Sequence, residues 1–321
     1  ENLFSTFLYN GTGSAQTITN GIDLDGEGGL VWIKSRQLTY NHELYDTLRG
    51  PTWRLSSNST GQSNDNITGL TSFNSNGFSL GASSTVNYID YPHASWTFRK
   101  QPKFFDIVTY TGNGLAGRQI PHNLGSVPGM FIIKSISNIT GWVTWHRGLA
   151  DGGGYGGYLN LETTSAASTG GQMFGTAAQQ TDSVITFGST ANITQTNGNG
   201  YTYVAYLFAH DAGGFGADGT ENVISCGSYT GNGSSTGPVI NLGYEPQWVL
   251  IKDTTSGVQD WILQDTMRGM TVTAGVGAYV KPNTSSAEFA TSYVTPQPTG
   301  FQINQTSGQV NTSGNTYIYI A

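Results

Sequence analysis

The amino-acid sequence predicts an all-β protein made of three tandem antiparallel β-sandwich modules, jelly-roll-like in their arrangement. Three observations lead there. One phrase recurs as Gly29-Leu-Val-Trp-Ile-Lys34, Gly129-Met-Phe-Ile-Ile-Lys134 and Gln247-Trp-Val-Leu-Ile-Lys252. Each copy follows a Tyr-x-Gly-x-Gly turn opened by Tyr9, Tyr110 or Tyr229, and the lysine comes 25, 24 and 23 residues after the tyrosine. Self-similarity at a fixed period is the mark of a repeat architecture. Second, short windows rich in β-branched and aromatic residues, such as Phe104 to Tyr110, Asp182 to Phe187 and Tyr201 to Phe208, are bounded by Gly, Asn, Ser or Pro; this is the pattern of strands, and no apolar stripe of helical period and length competes with it. Third, Asn-Gly pairs at 10–11, 76–77, 113–114, 197–198, 199–200 and 232–233 supply the positive φ that tight hairpins need.

Within each repeat the elements follow in order. The turn and the lysine strand are joined by Ile22-Asp-Leu-Asp-Gly-Glu-Gly28 in the first copy, and by segments sharing Asn-Leu-Gly-x-x-Pro, ending at Pro128 and Pro246, in the others. Asp46-Thr-Leu-Arg49-Gly50, His146-Arg147-Gly148 and Asp265-Thr-Met-Arg268-Gly269 come next. A Gly-Phe pair (77–78 and 300–301, reversed as Phe187-Gly188 in the second copy) precedes a closing aromatic strand. In Tyr201-Thr-Tyr-Val-Ala-Tyr-Leu-Phe208 every position suits burial, so that strand is expected either to be buried on both sides or to be shared between a core and a subunit contact. Boundaries are expected at 1–100, 101–210 and 211–321, across a basic connector at 99–103 and a glycine-rich one at 211–220, short enough to predict a stiff rod. Both ends read as cuts in a longer or processed polypeptide.

Composition narrows the function. Charged residues are 10% of the chain and the formal net charge is −7, which disfavours nucleic acid as a partner. The single cysteine, Cys226, rules out an intrachain disulfide framework and reads as a small buried strand residue. No stretch has the length and apolarity of a membrane span. The five histidines lack zinc spacing, and no nucleophile elbow, Walker loop or dinucleotide fingerprint occurs, so the chain is expected not to be an enzyme. Asp23, Asp25 and Glu27 alternate with glycines and are the candidate Ca²⁺ ligands, set against a solvated acidic loop. Trp53, Trp145, Tyr155 and Tyr158 are the candidates for stacking on a sugar ring, set against burial in cores or interfaces. The Asp-Thr-x-Arg-Gly element recurs and is therefore read as a structural brace, because a device of the scaffold repeats whereas a single active site need not.

Segments 29–50, Leu70-Thr-Ser-Phe-Asn-Ser-Asn-Gly-Phe-Ser-Leu80, Trp96-Thr-Phe-Arg-Lys100 and Phe105-Asp-Ile-Val-Thr-Tyr-Thr-Gly112 resemble the repeated β-modules of structural proteins of marine tailed phages, including cyanophages. Such modules usually carry Tyr-Val-Ala before Trp-Thr-Phe-Arg, where this chain has Pro92-His93-Ala94-Ser95. The resemblance implies a virion-surface or extracellular location, in a tail fibre, appendage or capsid-surface structure. It brings no catalytic residues, and the leading reading is a structural and adhesive module array, expected to assemble as a homo-oligomer with other virion proteins and to present a host-contacting surface. The alternatives are a carbohydrate-binding array that recognises a host surface polysaccharide, with avidity from three weak sites, and a polysaccharide depolymerase.

Overall fold

The computed structural model describes residues 2–152, 154, 156–169, 171–190, 193–271 and 276–321. It is all-β and of sandwich type, with every named strand pair antiparallel. Helix among the described residues is confined to the single turn Ser84–Asn87 and the 3₁₀ turns Ala177–Gln179 and Thr266–Arg268.

Each third of the chain contributes one larger sheet with the same strand order. In the first the order is Phe4–Asn10, Pro92–Arg99, Gly29–Ser35, Glu43–Asp46. In the second it is Phe105–Thr111, Thr202–Phe208, Met130–Ser135, Trp142–His146, extended by Leu159–Asn160. In the third it is Cys226–Thr230, Thr316–Ile320, Trp248–Asp253, Ile262–Asp265. A smaller sheet covers one face of each. In the first third Val31, Ile33 and Tyr45 meet Ile18, Phe78 and Leu80, and in the last Val249, Ile251 and Ile262 meet Ile240, Val294 and Phe301.

The Tyr-x-Gly-x-Gly turn now has a physical account, because the same bonds hold all three. The hydroxyls of Tyr9, Tyr110 and Tyr229 donate to the carbonyls of Val86, Thr196 and Val310 at 2.7, 2.6 and 2.7 Å. A buried asparagine faces each turn: Asn87, Asn197 and Asn311 accept from the backbone N–H of Thr12, Asn113 and Asn232. A Cβ on Gly11, Gly112 or Gly231 would fall on the carbonyl oxygen of Tyr88, Gly198 or Thr312, and Gly13, Gly114 and Gly233 have φ of 66°, 67° and 69°.

The second face of each larger sheet is buried against the other two sheets. One continuous core contains Trp32 and Trp96 from the first third, Ile132 and Tyr206 from the second, and Leu250, Trp261 and Ile320 from the last. This explains why Gly29–Ser35, Met130–Ser135 and Trp248–Asp253 are buried at every position. Of the two coverings expected for Thr202–Phe208, burial on both sides is the one present, and both covers come from the same chain.

The thirds do not line up as a rod, because their contacts close on themselves. Position for position, Ser63 N–H donates to Ile136 O (3.1 Å), Ala167 N–H to Thr254 O (2.9 Å) and Glu288 N–H to Arg36 O (2.8 Å). These bonds join first to second, second to third and third to first. A rod would leave the last pair far apart. The boundaries near 100 and 210 lie between sheets, yet the core runs across them.

Candidate functional site

The repeated polar residues turn out to be the fastenings of this closed arrangement. Lys34, Lys134 and Lys252 are fully buried. Each ammonium donates to the carbonyl of the next residue, Ser35, Ser135 or Asp253, at 2.8, 3.0 and 2.8 Å. Lys134 also reaches Thr60 O in the preceding third at 3.2 Å, and Lys252 reaches Thr164 O at 3.1 Å. Burial draws all three ammonium groups down to about 8 from the usual 10.5.

Opposite each lysine, the neighbouring strand carries His42, Trp142 or Trp261. Trp142 Nε1 donates to Ser56 O and Ser59 O at 3.0 Å, and Trp261 Nε1 donates to Asn160 O at 3.1 Å. His42 Nδ1 accepts from Trp32 Nε1, which leaves Nε2–H to meet Lys281 O at 3.1 Å. Each of the three contacts the preceding third of the chain.

The Asp-Thr-x-Arg-Gly brace is a further seam. Asp46 Oδ1 accepts from the backbone N–H of Leu48 and Arg49, while Oδ2 accepts from Arg49 Nε at 2.5 Å and from the Tyr206 hydroxyl at 2.7 Å. Asp265 Oδ2 accepts from Arg268 Nε at 2.7 Å and from Trp96 Nε1 at 2.9 Å. The arginine pairs with the brace aspartate, and the aspartate reaches the next third. Trp96 and Tyr206 occupy equivalent positions, and the third equivalent is Ile320, which has no donor. At that seam the acid is replaced by His146. It accepts from Gly148 N–H at Nδ1 and meets Tyr319 O through Nε2 at 3.0 Å, and burial holds its pKa down near 3. The irregular second copy is thus matched to the partner it faces.

Against this regular frame one cluster stands out because it is not repeated. Glu43 is fully buried at a position where the other copies have Val143 and Ile262. Its Oε1 accepts from Arg54 Nη1 at 3.2 Å, and its Oε2 has no hydrogen-bond partner. Burial raises the carboxyl to about 7, with Arg54 pulling the other way. Arg54 Nε donates to Asn64 Oδ1 at 3.0 Å. The pair Arg54–Asn64 has Tyr158–Ser168 and Tyr279–Phe289 as its counterparts. In the last third Tyr279 and Phe289 stack at 5.0 Å and fill that space. In the first third the space is a groove of about 450 Å³, lined by Asn41, Arg54, Ser59, Gln62 and Asn64, with Ile139 of the second third on its rim.

The residues singled out from sequence are scattered. Trp53 is 44% exposed, on the short strand Trp53–Arg54 that delivers Arg54 to the groove. Trp145 is 2% exposed and stacked on Phe131 at 5.0 Å, so it offers no face to a sugar; its strand is buried on both sides. Tyr158 is half-buried and paired with Ser168, and Tyr155 lies outside the described residues. Asp23 Oδ1 accepts from Gly26 N–H at 2.8 Å and closes a turn, while Asp25 and Glu27 point to solvent. Among the described residues no three acidic, imidazole or thiol groups gather to hold a metal, and no helix is long and apolar enough to cross a membrane. Glu43 and Arg54 escaped notice, although aligning the three copies on Asp46, His146 and Asp265 sets a glutamate against Val143 and Ile262.

No curated protein and no solved structure matches this chain. A family model described as a domain of unknown function, DUF7483, matches residues 1–321, and the chain belongs to that family.

Proposed function

We propose that the chain is a non-enzymatic structural and adhesive protein of a virion surface, set in a tail fibre, an appendage or a capsid-surface structure, where it presents a host-contacting face. One observation carries the reading: the repeated polar chemistry is consumed in closing the chain on itself, and the place that breaks the repeat is a solvent-facing polar groove. A stiff, low-charge body with one distinct surface site suits attachment better than turnover. The likeness of its segments to structural modules of marine tailed phages supplies the location. Other virion proteins and further copies of the chain are its partners in this reading.

Immunogold labelling of purified particles, together with binding of the purified chain to host cells, tests it. Gold at the particle surface and saturable cell binding are expected. Absence from particles, or loss of polysaccharide viscosity on incubation with the chain, overturns it in favour of the depolymerase. The carbohydrate-binding alternative gains from the groove, but as one site: the counterpart positions in the third copy are filled by Tyr279 and Phe289.

A further inference from the structure

We infer that the groove between Arg54 and Ile139 binds a neutral, hydroxyl-rich ligand, one or two sugar residues of a surface glycan, with Arg54 as the central donor and Glu43 as the residue that positions it. The inference rests on the adhesive reading, since it names the ligand of the contacting face.

The walls specify the class. Asn41, Gln62 and Asn64 are amides, each with donor and acceptor, and Ser59 adds a hydroxyl, which is the complement of a surface of sugar hydroxyls. Arg54 brings the one cation of the lining, and above about pH 7 the ionised Glu43 opposes it from inside the fold, so there no free charge remains to call for an anionic ligand. Ile139, 69% exposed, offers the C–H face of a ring an apolar contact. A groove of about 450 Å³ lies in the range of about 300–1,000 Å³ usual for small-ligand sites.

The frame explains why these residues point to a ligand. Burying a carboxylate with one unpaired oxygen is unfavourable, and at the same position the other copies show that Val143 and Ile262 fit. A cost borne at one copy of three has no account in closing the ring, since Glu43 makes no bond to another third. What Glu43 does is hold Nη1 of Arg54 while Asn64 holds Nε, fixing the guanidinium plane at the groove wall.

The test uses the whole chain on an array of immobilised neutral oligosaccharides terminating in glucose, galactose, mannose or N-acetylglucosamine, with uronate-terminated and sulfated oligosaccharides alongside. The variants are Arg54→Tyr, Glu43→Val, Glu43→Gln and Trp53→Ala, each checked by thermal melting. Expected is binding to neutral glycans that falls about tenfold or more for Arg54→Tyr and for Glu43→Val, with melting temperature kept or raised. Glu43→Gln, which keeps an acceptor for Arg54, stays within about threefold of the parent, and Trp53→Ala leaves binding unchanged. If Arg54→Tyr binds like the parent while Trp53→Ala does not, the groove is not the site, although the adhesive reading stands. If only uronate or sulfate ligands bind, the neutral class is wrong. If the chain adheres to host cells and to no glycan on the array, the ligand assignment fails and the adhesive reading survives. If it adheres to neither, both fall together.

Discussion

The seams between the thirds and the groove beside Arg54 are built on the same repeat, yet they treat buried polar groups in opposite ways. At a seam the buried aspartate and ammonium groups are answered, and Arg268 Nη1, a buried guanidinium nitrogen without a hydrogen bond, still has Glu288 at 3.7 Å. Asp265 receives Arg268 and Trp96, and Lys252 is spread over Thr164, Asp253 and Gln259 carbonyls at 3.1, 2.8 and 2.9 Å. At the groove Glu43 receives one bond from Arg54 and keeps one oxygen unanswered. Fully satisfied networks fix a single arrangement, whereas a half-satisfied one in a low-dielectric interior is a standing cost. The difference teaches that the seams exist for closure and the groove does not.

Perturbing a seam should have the largest effect. Asp265→Ala leaves Arg268, fully buried, with only the more distant Glu288 (3.7 Å) as counter-ion and Trp96 Nε1 without its acceptor, and a loss of about 3–5 kcal/mol in chemical denaturation is expected. A loss under 1 kcal/mol would mean that the seam is not what holds the thirds together. Trp142→Phe keeps most of the packing but strands the Ser56 and Ser59 carbonyls, so a loss of about 1–3 kcal/mol should follow from the same measurement.

The groove should respond with the opposite sign. Replacing Glu43 and Arg54 together by the second copy's residues, Glu43→Val with Arg54→Tyr, is expected to stabilise the chain by about 1–4 kcal/mol at pH 8. The gain should shrink toward pH 4.5. A carboxyl raised to about 7 keeps its proton in the folded chain where the unfolded chain, at the ordinary 4.5, has lost it. Its contribution to stability is therefore fully present below pH 4.5 and is lost as pH rises through 7, a swing of about 3 kcal/mol. Denaturation of parent and double variant at several pH values reads this directly, and parallel curves would show that Glu43 is ionised throughout. Smallest of all, Trp53→Ala should change stability by no more than about 0.5 kcal/mol, since the indole is 44% exposed.

Much of the frame was legible because repetition exposes geometry. The Tyr-x-Gly-x-Gly phrase marked turns whose glycines lie against carbonyls, and the recurring Asp-Thr-x-Arg-Gly marked the turn that Asp265 and Arg268 brace. Closure was not legible. A strand such as Thr202–Phe208, buried on all but its first position, reads the same whether the covering face belongs to another molecule or to the same one. Nor was the burial of Trp145, because an aromatic residue near a strand end looks alike in a core and at a surface. Glu43 was legible in principle. It sits nine residues beyond Lys34, in a column whose other members are apolar, but a lone acid draws no attention until its counterparts are set beside it.

Joining three copies in one polypeptide has a consequence for how such a ring can change. In an assembly of three identical subunits every substitution is made in triplicate, so a half-paired carboxylate like Glu43 would be buried three times and its cost multiplied accordingly. Covalent linkage lifts that constraint: one copy can exchange its tyrosine for Arg54 while the others go on filling the same space with aromatic rings. Such a ring can specialise one sector at a time, with the remaining two as ballast.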